Sequence, residues 1–408
     1  MKFNFSAKKL TRGARRFVQL QVLFNGMNAI LTLFLNTFLL NSYGSTSKEI
    51  IIYNVIMALM QPAAMITAMI FTEKFHALLT QRIGFVFYGA ALVTLCLFGE
   101  KVAPLYPLFA VMLSFGAGYY YSVYSAQMLN YTNDDNRDLI AGALGLFGSV
   151  ISIVLPLLSG LLIKCFGTSI GYMIVFGLSA LLAFFALFTN CRLPELPKHK
   201  KGSAFRMVCK TILKDKNARL VMIANGLSNC RSFTIPIFVT ILFYRLASDG
   251  NKEFYTSLNS TIGYVVTLLG ASIYASFVKS ENRVKFSVLA AVAVTLPVIA
   301  MVFELNIITI VIFNAFYGFF TTFTATPVLN THFKVMEDLR LSEYGAEAHL
   351  LREFFVSIGR VIGLLMVWLI PQTNIGTMAV LVCMSGFEII NSTILHIIKK
   401  RSQKANSK

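Results

Sequence analysis

The sequence predicts an all-α membrane protein, with twelve transmembrane helices arranged as two pseudo-symmetric six-helix bundles around a central cavity. Three observations predict it. The 408 residues are 56% hydrophobic and only 13% charged, with a mean hydropathy of +0.68, whereas an ordinary soluble domain is about a quarter charged. Twelve continuously apolar runs approach the roughly 20 residues that a helix needs to cross a bilayer core. One fixed offset of 200 residues lays parts of the second half of the chain on the first. The runs do not alternate in polarity, so helices fit them better than a barrel does.

In chain order, the run 17–40 follows Lys2, Lys8, Lys9, Arg12, Arg15 and Arg16. That basic lead enters an apolar stretch too long for the core of a cleaved signal. Runs 49–71 and 82–98 flank the loop IFTEKFHALLTQRIG. Run 104–128 carries Tyr119, Tyr120, Tyr121, Tyr124 and Gln127. Run 139–163 places Ala141, Gly145, Ser149, Ser152, Pro156 and Gly160 at helical spacing, a stripe of small residues that lets a neighbouring helix come close. Run 169–190 completes the first half. The segment 191–217 is polar and basic; in it Phe205, Val208, Cys209 and Ile212 share one helical face, and Arg206, Lys210 and Lys214 another. This suits either a helix on the membrane surface or a helical patch in a solvated linker. Run 218–244 has Arg231 in its middle, and runs 257–279 and 285–303 flank the loop VKSENRVK. Run 306–330 carries Tyr317, Phe319, Phe320 and Phe323. Run 349–370 contains Arg360 between Gly359 and Gly363, with Trp368 placed as an interfacial anchor. Run 375–398 contains Glu388 and ends in a basic tail. The expected units are a bundle over 1–190, a cytoplasmic linker over 191–217 and a bundle over 218–408.

The net charge of +18 is placed, not spread. With six spans per half, the basic lead, the central segment and the tail fall on one side. The opposite loops offer only Lys48, Lys101, Lys164, Arg245 and Lys252. Positive charge marks the cytoplasmic side, so both termini are expected in the cytoplasm of a multi-pass plasma-membrane protein. The basic excess is then a topology signal with some attraction to anionic lipid heads, not a nucleic-acid footprint. The six cysteines lack metal or redox spacing and read as apolar fillers. No cofactor and no metal are expected.

At the 200-residue offset Asn25-Gly26 falls on Asn225-Gly226, Asn28 on Ser228, and GYYYSVYSAQMLN at 118–130 on GFFTTFTATPVLN at 318–330. A six-helix unit used twice in parallel orientation explains one offset serving both pairs of spans. The register then breaks, which reads as a loop over Thr331–Ala348 longer than its partner. Twelve spans, six plus six, with a long basic central segment and cytoplasmic termini, resemble the major facilitator superfamily. The loop after the second span keeps Glu73, Lys74 and Arg82 of the family's charged signature but lacks its Asp-Arg pair; the loop after the eighth keeps Lys279, Glu281, Arg283 and Lys285. The resemblance implies that spans one, four, seven and ten line a central cavity, and that the halves rock to open it to alternate sides.

Arg231 sits near the bilayer midplane, where a charge costs at least ~2.5–3.5 kcal/mol on insertion scales. It reads as a contact for an anionic or zwitterionic substrate, or as a structural anchor. Glu388 reads as a proton-carrying carboxylate or as one half of a buried ion pair with Arg360. Asn25 and Asn28, and at the matching place Asn225 and Ser228, can bind substrate or bond to neighbouring helices. Tyr120, Tyr124 and Phe320 can line the site or pack in the core. Asp134, Arg137, Asp338, Arg352 and Glu353, at the cytoplasmic ends of spans, can form latch pairs or a solvated face.

No nucleotide loop and no His-Glu-x-x-His stand in the chain, so neither a primary pump nor an enzyme is expected, and no catalytic residue is assigned. The reading is a secondary transporter that exports small drug-like or amphipathic organic molecules coupled to protons. The alternatives are a proton symporter importing an anionic or zwitterionic solute, and a non-transporting receptor or scaffold. The partners expected are a small-molecule substrate, protons and the lipid bilayer, with no nucleic acid, and the chain is expected to act as a monomer.

Overall fold

The structure is a computed structural model that describes residues 11–43, 48–131, 137–196, 204–247, 251–279, 282–341, 344–370 and 373–406. Among these residues there are helices and no strand. Six long helices come first: α1 (Arg12–Ser42), α2 (Lys48–Lys74), α3 (Ala77–Phe98), α4 (Tyr106–Tyr131), α5 (Arg137–Phe166) and α6 (Thr168–Cys191). A 3-10 turn, Gly99–Leu105, joins α3 to α4. The short α7 (Phe205–Lys214) follows, then six more long helices: α8 (Lys216–Leu246), α9 (Lys252–Phe277), α10 (Arg283–Phe303), α11 (Ile307–Asp338), α12 (Gly345–Leu369) and α13 (Asn374–Asn406). Every apolar run is thus a helix. Among the described residues ten stretches are long and apolar enough to cross a membrane, and one of them, Ala77–Met128, contains α3 and most of α4.

The chain divides into two compact units. The first holds residues 1–44, 60–201 and 251–261, and the second holds 45–59, 202–250 and 262–408. In the first, Thr11 caps α1 by accepting from the Ala14 amide. Arg16 then donates to the Arg192 carbonyl and Tyr131 to the Pro194 carbonyl, which ties the ends of α1, α4 and α6 together. Backbones meet where glycine allows it: a Cβ on Gly118 would stand 2.5 Å from the Ala64 Cβ, and one on Gly84 2.9 Å from the Gly116 carbonyl. Of the small-residue stripe on α5, Gly160 makes such an approach, to Ser257, while Gly145 faces open space.

In the second unit the closest seam joins α8 and α12. A Cβ on Gly359 would lie 2.0 Å from the Gly226 carbonyl, and one on Gly363 2.6 Å from that of Cys230. The Gly-x-x-x-Gly spacing therefore serves helix packing. α7 turns Val208 and Ile212 inward, into a cluster with Val221, Met222, Val335, Met336 and Leu351, and leaves Arg206, Lys210 and Lys214 exposed. Its apolar stripe is covered by protein.

One expectation fails. Most of Thr331–Ala348 is not loop, because α11 runs on to Asp338. It stops by a Schellman arrangement: the Leu341 amide reaches the Met336 carbonyl at 2.9 Å and the Arg340 amide the Glu337 carbonyl at 2.9 Å. Arg340 takes the left-handed conformation, φ 56°, usually given to glycine. Leu341 packs with Val335 and Met336, the hydrophobic contact that accompanies this motif.

α1 and α8, equated by the repeat, are equally enclosed, with 72% of each apolar window buried, against 22% for α5 and 17% for α9. α5 and α9 expose Leu146, Leu158, Val265 and Leu269, a surface suited to hydrocarbon. The most enclosed of these helices are where polar groups demand an account.

Candidate functional site

Arg231 lies fifteen residues into the 31-residue α8, close to its middle. It is 3% exposed and its Nη1 stands 3.1 Å from Oε2 of Glu388 on α13, itself 2% exposed. The same Nη1 is 3.3 Å from the Thr324 hydroxyl of α11. The guanidinium lies over the Tyr317 ring, 5.0 Å from its centroid, a cation–π contact. Three helices of the second unit thus converge on one buried charge pair.

The pair is not fully satisfied. Among the described residues Arg231 Nε and Nη2 and Glu388 Oε1 find no hydrogen-bond partner, and neither does either end of the Asn391 amide. Asn391 is three residues after Glu388, so the two share a face of α13. Burying an ion costs several kcal/mol after relaxation, and only good geometry with further hydrogen bonds repays it. Here the carboxylate spends one oxygen on Arg231 and keeps the other unbonded.

The partner of Glu388 is Arg231 and not Arg360, which corrects the expected pairing. Arg360 instead holds Glu353, seven residues earlier on its own helix, at 2.8 Å. Its guanidinium sits 5.1 Å from the Phe233 ring centroid. Seven residues are two turns, which puts both on one face of α12.

The other predicted residues separate into groups. Asn225 and Ser228 are buried on α8, and Asn225 accepts a 2.7 Å hydrogen bond from Arg352 Nε. Asn25 and Asn28 are half-buried on α1; Asn25 points at Gly148 of α5. Tyr120 is buried, stacked on Phe24 at 3.5 Å between centroids, and donates to Gln21. It belongs to the core of the first unit. Tyr124 is half-buried beside Phe17, and Phe320 is half-buried against Phe319. Asp338 is exposed in the last turn of α11. Asp134 and the side chain of Arg137 lie outside the described residues. Arg352 and Glu353 do not pair with each other: one holds Asn225 and the other Arg360.

Sequence reasoning missed Thr324 and Asn391 as neighbours of the pair, although three-residue spacing from Glu388 marks the second. It also missed a network in the first unit. Gln81 donates to Gln127 at 3.1 Å and accepts from it at 2.6 Å; Asn190 donates to Gln81 at 2.5 Å; Arg82 Nε donates to Asn190 at 3.0 Å. Gln81, Gln127 and Asn190 are all fully buried.

Comparison with known proteins fits this architecture. The chain is 22% identical over 342 residues to the uncharacterized protein YqgE of Bacillus subtilis (strain 168), covering 83% of this chain and 77% of that one. It is 24% identical over 143 residues to an uncharacterized protein in the sodM 3' region of Geobacillus stearothermophilus, covering 35% and 66%. Among solved structures it resembles the nucleoside transporter NupG, with a TM-score of 0.70 at 14% identity over 96% of this chain and 100% of that one. A point mutant of NupG gives 0.68 at 12% identity, over 94% and 99%. At such identities the likeness speaks for the fold. The sequence profile of the Major Facilitator Superfamily matches residues 20–364, and the chain belongs to that family.

Proposed function

We propose that the protein is a secondary transporter that works by alternating access and exchanges small organic molecules for protons, with Arg231 and Glu388 as the coupling pair. The observation that carries the reading is the 3.1 Å ion pair buried on α8 and α13, with three of its polar atoms unpartnered among the described residues. A proton on Glu388 would cancel its charge and leave Arg231 uncompensated in a low-dielectric setting. The guanidinium would then favour a conformation in which it meets water or a solute. A ligand shifts a conformational balance only by binding the two states differently, and a proton shared between a paired and an unpaired carboxylate does so. Arg231 is the nearest cation to Glu388, and Tyr317 and Thr324 complete the polar surroundings of that cation.

For direction, export is favoured by the half-buried rings of Tyr124 and Phe320, on helices that the repeat equates, which suit amphipathic solutes. We place the protein in the plasma membrane with both termini cytoplasmic, on the strength of the one-sided Lys and Arg. The two bundles either side of the linker 191–217 serve as the rocking bodies.

Vesicles bearing the purified protein and a trapped pH dye test the reading against a panel of small organic solutes. Antiport predicts that an entering solute drives protons out and the interior turns alkaline. Glu388→Gln makes solute flux indifferent to an imposed pH gradient. Acidification by the entering solute would instead establish symport, the import reading. Solute flux with no dye response, or a pH dependence that survives Glu388→Gln, would overturn the coupling role.

A further inference from the structure

The helix that carries Arg231 presents a second polar surface. Asn225, Ser228, Asn229 and Ser232 recur at the three- and four-residue spacing of one helical face. Together with Thr326 on α11 and Arg352 on α12 they line a cavity of about 260 Å³ within the second unit. Apolar side chains of α11, Val328 and Leu329, complete its wall.

The charge of this cavity is not balanced from within. Among the described residues Arg352 is the one charged residue that lines it. Its neighbour Glu353 is engaged by Arg360 at 2.8 Å. The Asn225 amide is held at one end, donating to the Val221 carbonyl at 2.8 Å, and with its oxygen it holds Arg352 Nε at 2.7 Å. That clamp fixes the guanidinium by one edge and leaves both Nη nitrogens without a hydrogen bond to the described protein. The hydroxyls of Ser228, Ser232 and Thr326 are likewise uncommitted. By contrast Thr240, Thr321 and Thr331 donate to the carbonyl one turn back. A fixed guanidinium edge with hydroxyls beside it is the donor set that recognises a planar oxyanion.

We propose that this cavity binds the carboxylate of a small organic acid, with Arg352 as the anchoring cation and Asn225 as the residue that positions it. Monoanionic carboxylate matches one guanidinium. A phosphate monoester, at about −1.5 to −2, would bring more charge than the site can pair. The volume lies just below the ~300 Å³ at which drug-sized pockets begin, so the ligand is small or only its acidic end enters. The apolar wall from α11 suits a hydrocarbon body behind the acid. This names the substrate class of the proposed transporter and rests on the reading of the protein as a carrier of organic solutes.

Binding is measured at equilibrium by titration calorimetry on the purified full chain in detergent, with no gradient. The panel holds aliphatic and aromatic monocarboxylates, their amides, and phosphate monoesters on the same skeletons. We expect saturable binding of at least one monocarboxylate and about tenfold or greater loss for its amide and in Arg352→Gln, as for a charge-assisted hydrogen bond. Arg352→Lys should recover part of the loss. If Arg352→Gln does not fold, the double variant Ser232→Ala/Thr326→Ala serves, with an expected loss of about threefold or more. No binding by any monocarboxylate, tighter binding of the phosphate esters, or unchanged affinity in a folded Arg352→Gln or in the double variant would overturn the proposal. Carboxylate binding without a proton signal in vesicles would remove the coupling role of Glu388 and leave this site standing. Proton-coupled flux of a neutral solute without carboxylate binding would do the reverse.

Discussion

The two halves of this protein bury polarity in opposite ways. In the first unit Gln81, Gln127 and Asn190 are fully buried, neutral and bonded to one another, with Arg82 closing the network. In the second, a buried cation and a buried anion meet; with Asn391, three residues beyond Glu388 on α13, five of their polar atoms go unbonded among the described residues. The repeat sharpens the contrast. Two hundred residues before Arg231 stands Leu31, and before Tyr317 stands Ala117, each 6% exposed. One place in the repeated unit is sealed with hydrocarbon in the first half and charged in the second. A satisfied network specifies one arrangement, whereas an under-satisfied ion pair keeps an alternative within reach. On the proposed reading the proton-coupling pair lies in the second unit, and the neutral network of the first serves its stability.

The largest test breaks the pair itself. Arg231→Met strands Glu388 in a buried setting and should cost about 3–5 kcal/mol, the range for removing one partner of a buried ion pair. The double variant Arg231→Met/Glu388→Met should recover that loss and can exceed the parent by about 1–4 kcal/mol, since well-packed apolar replacements are often neutral or stabilising. Thermal unfolding in detergent checks both, and the non-additivity of the cycle measures the coupling. Both variants should lose the proton response in vesicles. A single variant as stable as the parent would show that Glu388 does not depend on Arg231, and the contrast between the halves would lose its charged side.

What the sequence reveals follows the same division. Helix positions were legible because hydrocarbon must be met by apolar side chains, and Arg231 stood out because a lone cation at mid-span is costly. Its partner was not legible. Glu388 had two deep cations to choose from, and nothing in linear spacing chooses between α8 and α12; the choice is made by packing. Arg360 could have been withdrawn from the contest, since Glu353 lies two turns away on its own helix face. The extension of α11 through Asp338 is hidden because hydropathy reports the membrane and not the helix: past the bilayer a helix can be as polar as Thr331–Asp338. In the sequence Tyr120 is a possible lining ring because three consecutive tyrosines point three ways, and only the stack on Phe24 tells which of them is core.

A middle-sized test falls on the neutral side. Gln81→Leu removes a residue that both donates and accepts, and leaves Gln127 and Asn190 each short of a partner. An unmet buried polar group costs about 1–3 kcal/mol, so the melting temperature should fall clearly, though less than for Arg231→Met. Proton response per folded molecule should stay at the parent level. A changed pH profile in Gln81→Leu would make the first unit part of the coupling machinery and erase the division of labour.

The smallest test asks whether Tyr120 belongs to the scaffold or to a solute site. Its hydroxyl donates to Gln21 Oε1, and Gln21 Nε2 has no partner among the described residues, so this bond is the one described for the Gln21 side chain. Tyr120→Phe keeps the ring and its stack on Phe24 and deletes only the hydroxyl. As a core residue it should lower stability by about 1 kcal/mol, the low end for one buried polar group left unmet, here Gln21 Oε1, and leave solute affinity unchanged. A ring lining a solute site would give the opposite result, a shifted affinity with an unchanged melting temperature. The repeat sets the control: Phe320, which falls at the matching position in the second unit, has no hydroxyl and is half-buried. Phe320→Ala should therefore disturb solute binding more than Tyr120→Phe does, if the two halves differ in function as they differ in charge.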